Sequence, residues 1–117
     1  MKAVLIPCDP DKAIEDIELP DNQSDAADRV RELIGGYFQL IKVRNEPRLC
    51  LWCDEDGKLS VKPVNLRATF FSVVEPPDFI VGDVVLTGGR GALRPCPLEA
   101  WEVKNRIMGA IQPEDAA

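Results

Sequence analysis

The residues of this chain best suited to metal or redox chemistry are its four cysteines, two of them in the pair Cys50-Leu51-Trp52-Cys53. Structural zinc sites use thiolates in two close pairs, and Cys8 and Cys96 do not supply the second pair. Arg48 to Cys53 also reads as a β-strand, and residues three apart on a strand point to opposite faces. The two sulfurs then do not converge. The expected state is four inert thiols, buried as free cysteine usually is. A cysteine-dependent metal or redox role stands as a third alternative, and no metal or cofactor is expected.

Asp54-Glu55-Asp56-Gly57 has the look of a calcium loop, but the register fails. With Gly57 at the sixth position, Trp52 occupies the first and Pro63 the twelfth, where an acid is required. A turn explains the four residues. Thr87-Gly88-Gly89-Arg90-Gly91 is the loop with the most chemical scope. Glycines let backbone N–H groups approach an anion, and Arg90 supplies a guanidinium. The segment matches neither a phosphate-loop pattern nor the three-glycine dinucleotide pattern, so a turn is the first reading and an anion or nucleotide site the second.

Histidine is absent from the 117 residues. That excludes Ser-His-Asp triads, Cys-His dyads and His-ligated metal centres, and the balance of the reading is non-enzymatic.

The formal charge is −6, and it is unevenly spread. Asp9, Asp11, Glu15, Asp16, Glu18, Asp21, Asp25 and Asp28 face Lys12 alone within their stretch, whereas the rest of the chain carries twelve acids and thirteen bases. An acidic field disfavours phosphate backbones. Lys42, Arg44, Arg48, Lys58, Lys62 and Arg67, near Tyr37, Phe38 and Trp52, make only a modest basic-aromatic patch. Direct nucleic-acid binding is therefore not expected. No stretch is long and apolar enough for a membrane span. Met1 to Pro7 falls short of a signal-peptide core, so a cytoplasmic, soluble protein is expected.

The elements that must position these residues follow from pattern. Lys2 to Ile6 is a short apolar run closed by Pro7, a buried strand, and Ile14 to Leu19 is a weaker one. Pro20-Asp21-Asn22 breaks the chain before a helix over 24–34, with Ser24 as N-cap and Gly35-Gly36 as its stop. Tyr37 to Val43 and Arg48 to Cys53 form a hairpin, and Lys58-Leu59-Ser60 continues the meander. Asn65 caps a helix over 66–74 with Leu66, Phe70, Val73 and Val74 on one face, and Pro76-Pro77 ends it. Val84 to Thr87 is a buried strand, and Leu93-Arg94 pairs briefly with a neighbour. A final helix over 98–110 has Pro97 in its first turn. It carries two apolar stripes, Leu98, Trp101 and Met108 on one and Val103, Ile107 and Ala110 on the other, which implies packing on two sides.

Gly35-Gly36-Tyr37, Asp56-Gly57-Lys58-Leu59, Asn65-Leu66-Arg67-Ala68-Thr69 and Ile80-Val81-Gly82-Asp83-Val84-Val85 resemble the domain-of-unknown-function family DUF3846, over roughly Met1 to Thr87. The cysteine-bearing strand departs from that family's pattern. The resemblance implies no catalytic residues, but it does imply an accessory role in a phage or plasmid setting.

The expected fold is α+β, a small and mostly antiparallel sheet of about five strands with about three helices packed against it. A single domain spans 1–111, followed by a frayed tail over 112–117. The expected function is non-enzymatic binding of a protein partner, such as a host or defence factor. Glu15, Asp16, Glu18, Asp21, Asp25 and Asp28 form the expected acidic interface. The alternative is a small-ligand module at Thr87 to Gly91.

Overall fold

The computed structural model describes residues 1–111, with side chains as far as Gly109. The expected tail over 112–117 and the place of Ala110 in its stripe lie outside what is described. Among the described residues the elements run β1 (Lys2–Ile6), β2 (Glu15–Glu18), α1 (Gln23–Ile34), β3 (Phe38–Lys42), β4 (Leu49–Asp54), α2 (Leu66–Phe71), β5 (Val84–Gly88) and α3 (Ala100–Ile111). The five strands make one antiparallel sheet in the order β2-β1-β5-β4-β3. The fold is α+β, as the pattern predicted.

Both faces of the sheet are covered. On one face, Ala3, Cys50, Trp52 and Val85 pack with Ala26, Val30 and Ile34 of α1. On the other, Val4, Ile6, Leu51, Cys53, Val84 and Leu86 pack with Ala68 and Phe71 of α2 and Val103 and Ile107 of α3. The central strands are therefore continuous apolar runs. β4 and β5 are buried at every position. Their burial removes enough apolar surface from water to dominate the stability, on the order of 2 kcal/mol for each large side chain.

The buried polar side chains of Asp54, Asn65, Ser72 and Thr87 are hydrogen-bonded. Trp52 Nε1 donates to Thr87 Oγ1 at 2.7 Å, and Phe38 meets the Trp52 ring edge-on with centroids 4.7 Å apart. Asn65, fully buried, does the most. Its Nδ2 donates to the carbonyls of Ile6 (2.9 Å) and Gly82 (2.8 Å), while its Oδ1 accepts from Ala68 N at 3.0 Å and caps α2. One amide thus ties the end of β1, the entry to β5 and the start of α2.

Four local expectations are corrected. The N-cap of α1 is Asn22, whose Oδ1 accepts from Asp25 N at 3.1 Å, and Ser24 lies inside the helix. Gln23 opens the helix because its side chain clamps the backbone of Leu93 through a 2.7 Å and a 3.0 Å hydrogen bond. Lys58-Leu59-Ser60 is not a strand but part of a turn, held by Ser60 N to Asp56 O (3.0 Å) and Lys62 N to Gly57 O (3.1 Å). The buried carboxylate of Asp54 draws the Lys62 ammonium inward, where it also donates to Ile34 O at 2.7 Å and closes α1.

Helix α2 stops at Phe71, short of 74, because Ser72 turns extended and pairs with Val43 beyond β3. Its buried face is Ala68 and Phe71, and Leu66 and Phe70 are exposed. Helix α3 starts at Ala100, so Pro97 and Leu98 precede it. Glu99 acts as its cap, with Glu99 O accepting from Val103 N and the Glu102 carboxylate accepting from Glu99 N at 3.0 Å, half of a capping box.

Asn65→Ala should lower stability by about 2–4 kcal/mol in urea unfolding, since it leaves buried Ile6 and Gly82 carbonyls without their donor and uncaps α2. A loss below about 1 kcal/mol would show that the amide is not the tie described here.

Candidate functional site

The acidic stretch forms one flank, made of the loop before β2, β2 itself at the sheet edge, and the first turns of α1. Its carboxylates divide by what they touch. Asp16 Oδ1 accepts from Ala100 N at 2.9 Å, at the start of α3, and lies 3.8 Å from Lys2 Nζ. Lys2 in turn pairs with Glu99 at 2.8 Å. Asp21 and Glu18 meet the N-terminal ammonium at 2.9 and 3.5 Å, and that partner holds the Asp21 carboxyl below its ordinary range. Asp28 pairs with Arg31 at 2.7 Å. Glu15 and Asp25 have no ion-pair partner among the described residues. Asp25 sits in the first turn of α1, where the helix dipole favours it.

Four of the six predicted interface residues thus serve the fold as well as the surface. The flank nevertheless stays negative: its eight acids outnumber Lys12, Lys2, the N-terminal ammonium and Arg31, the last three of which they pair with.

The flank borders a groove of about 630 Å³ between the loop around Asp11 and the outer face of α3. Asp11 and Asp16 line it together with Lys12, Arg67 and Lys104, and Trp101 and Met108 are part of its apolar lining. Trp101 is 64% exposed and Met108 45% exposed. The expected stripe Leu98-Trp101-Met108 is therefore split. Leu98 is buried before the helix begins, while Trp101 and Met108 face outward and Val103 and Ile107 face the sheet. The signal for this was present as a second apolar stripe, which the sheet has no side left to cover. Arg67 braces the far wall by donating to Pro7 O (2.8 Å) and Asp9 O (2.9 Å).

The glycine-rich loop is placed differently. Thr87 is fully buried with its hydroxyl on Trp52. Gly88 N donates to Arg94 O and Gly89 N to Arg48 O, each at 3.0 Å, and Arg90 Nε donates to Pro47 O at 2.9 Å. A Cβ at Gly88 would lie 2.5 Å from Pro95 O, and Gly89 and Gly91 have φ of 86° and 80°. The backbone path itself requires these glycines. The N–H groups of Gly88 and Gly89 are spent on two different carbonyls.

Cys50 and Cys53 lie on opposite faces of β4, one against α1 and the other against the α2–α3 side. Burial, with the neighbouring Asp54 charge, pushes the Cys53 thiol up to about 11. Among the described residues no group of three Cys, Asp or Glu side chains is arranged to hold a metal ion. Asp54 is turned inward. Burial pushes its carboxyl up, but the Lys62 ammonium and the Asp56 N–H outweigh that and hold it below the ordinary range. Trp52 is buried and so lost to the basic-aromatic patch, whereas Tyr37 is exposed. No helix among the described residues is long and apolar enough to cross a membrane.

The family model of a domain of unknown function, DUF3846, matches residues 1–107. The match reaches beyond Thr87 and takes in most of α3. No curated protein and no solved structure matches the chain.

Two outcomes follow from this geometry. Inorganic phosphate and nucleotides should leave the melting temperature unchanged, because a ligand of the folded state must raise it and the N–H groups of Gly88 and Gly89 are already engaged. A rise that disappears in Arg90→Ala would make the loop an anion site. Separately, Asp16→Ala should cost about 0.5–2 kcal/mol in chemical unfolding through the lost acceptor for Ala100 N at the start of α3. Glu15→Gln should stay within about 0.5 kcal/mol. Equal costs would remove the division between fold-bearing and free carboxylates.

Proposed function

The chain belongs to the DUF3846 family, and on that premise we propose that it is a non-enzymatic accessory domain that binds a basic protein partner through the acidic flank and the adjoining Trp101 groove. A single observation carries this reading: exposed Trp101 and Met108 share one groove with Asp11 and Asp16. Protein interfaces have an apolar centre rich in Trp and Met within a polar rim, and Trp is enriched where binding energy concentrates. In this arrangement Glu15, Glu18 and Asp25 are the rim. They steer a positively charged partner, and Trp101 anchors it.

A cytoplasmic setting fits the four unpaired cysteines, which a reducing compartment preserves. The phage or plasmid context, with a host or defence factor as partner, rests on the family resemblance.

The test begins with affinity capture from the host cell and continues with binding kinetics on the purified partner. Trp101→Ala should weaken the complex by about 2 kcal/mol or more, mainly through faster dissociation. Combined Glu15→Gln, Glu18→Gln and Asp25→Asn should slow association and flatten its salt dependence. Unchanged kinetics in both variants would leave the flank a solvated face.

A further inference from the structure

The two edges of the sheet are finished differently. β2 carries Glu15, Asp16 and Glu18, a charged edge of the kind that discourages further pairing. β3 reads Phe38-Gln39-Leu40-Ile41-Lys42 and has a neighbour only on its β4 side.

Backbone direction on β3 follows from two hydrogen bonds. Glu55 N donates to Tyr37 O on the β4 side, whereas Val73 N donates to Lys42 O on the outer side. Backbone groups alternate along a strand, so the N–H and C=O of Phe38 and Leu40 point outward. Beyond Lys42 the chain already covers its own edge. Ser72 bridges Val43 antiparallel, and Arg44 N donates to Phe71 O. That cover ends at Val73. Among the described residues nothing pairs with the outer groups of Phe38 and Leu40.

Beside this open stretch lies a second groove, of about 360 Å³, where α1 no longer covers the sheet. Leu40, Cys50, Val73 and Pro47 give it apolar walls, and Lys42 and Arg90 bring two cations. Its one carboxylate, Glu46, is spent. Arg106 (2.9 Å) and Arg48 (3.0 Å) hold it as a carboxylate, with its pKa below the ordinary range. Neither Lys42 nor Arg90 has an ion-pair partner among the described residues. The groove is thus apolar within and positive at its rim.

We propose that the outer edge of β3 and this groove bind an extended, acidic segment of a partner protein by strand addition. The backbone of that segment would pair with Phe38 and Leu40, an apolar side chain would enter beside Leu40, and a carboxylate would meet Lys42 and Arg90. In this mode main-chain hydrogen bonds give affinity and alternate side chains give specificity. The site is separate from the Trp101 groove and selects the opposite charge.

The probe is a short peptide alternating glutamate and valine, titrated into the full chain and followed by amide NMR. Its lysine–valine counterpart and a backbone N-methylated version serve as controls. The glutamate peptide should move the amides of residues 38–42 and slow exchange at Phe38 and Leu40. Both controls should bind at least about tenfold more weakly. Lys42→Glu, alone or with Arg90→Glu, should reverse the charge preference, and the single variant alters only an exposed side chain. Trp101→Ala should change nothing here, which separates failure of this site from failure of the acidic flank. Equal binding of the N-methylated peptide, or of both charge types, would overturn strand addition. So would a dimer in which the Phe38 and Leu40 amides are already protected, since that assigns the edge to a second copy.

Discussion

The structure depends on the insertion of β5 between β1 and β4. Val4 pairs with Leu86 and Leu51 with the same Leu86, so until β5 arrives the amino-terminal hairpin and the β3–β4 hairpin share no sheet. β5 is buried along its whole length, which requires a cover on each face and sets α1 against α2 and α3. Asn65 is placed where this insertion begins, bonding the Gly82 and Ile6 carbonyls that flank the join. Pairings between residues so far apart carry a high loop-closure cost, which makes the apolar reward at β5 the term that decides folding.

Once the sheet is closed in that order, its edges are determined, and with them the places where the molecule can still pair. β2 and β3 are outermost. β2 is short and acidic, and one of its carboxylates is turned inward to the N-terminus of α3. β3 is protected at one end by Ser72 and Val73 and left open at the other. The same closure directs one side of α3 at the sheet and leaves Trp101 and Met108 outside. Both candidate interfaces therefore follow from where the covering elements run out.

The order of elements was legible because its signals are local. Short apolar runs ended at Pro7 and near Gly88, a helix ended at Gly35, and Asn65 was recognisable as a cap. The opposed directions of Cys50 and Cys53 followed from strand geometry alone. What escaped depends on partners distant in the chain. Ser24 made a reasonable cap until Gln23 was seen to bind Leu93, and Lys58 to Ser60 looked extended until Lys62 was drawn to Asp54 and Ile34. Local amphipathicity marked Leu66, Phe70, Trp101 and Met108 as apolar, but it could not say which stripe the sheet would claim.

Charge illustrates the same limit more sharply. Read along the chain, the acidic stretch is a block of nearly uniform negative sign. In three dimensions its members have unequal roles. Asp16 completes a helix end, Asp21 and Glu18 hold the first residue of β1's lead-in, and Asp28 answers Arg31. An exposed ion pair contributes little to stability, yet it cancels field at the distance from which a partner is steered. A carboxylate spent in this way counts less toward recognition than its position in the sequence suggests. In the proposed interface, attraction would therefore rest on the acids that the fold does not use, and holding on the apolar surface of Trp101 in the adjoining groove, since steering sets the rate of encounter and buried aromatic area sets the lifetime of what forms.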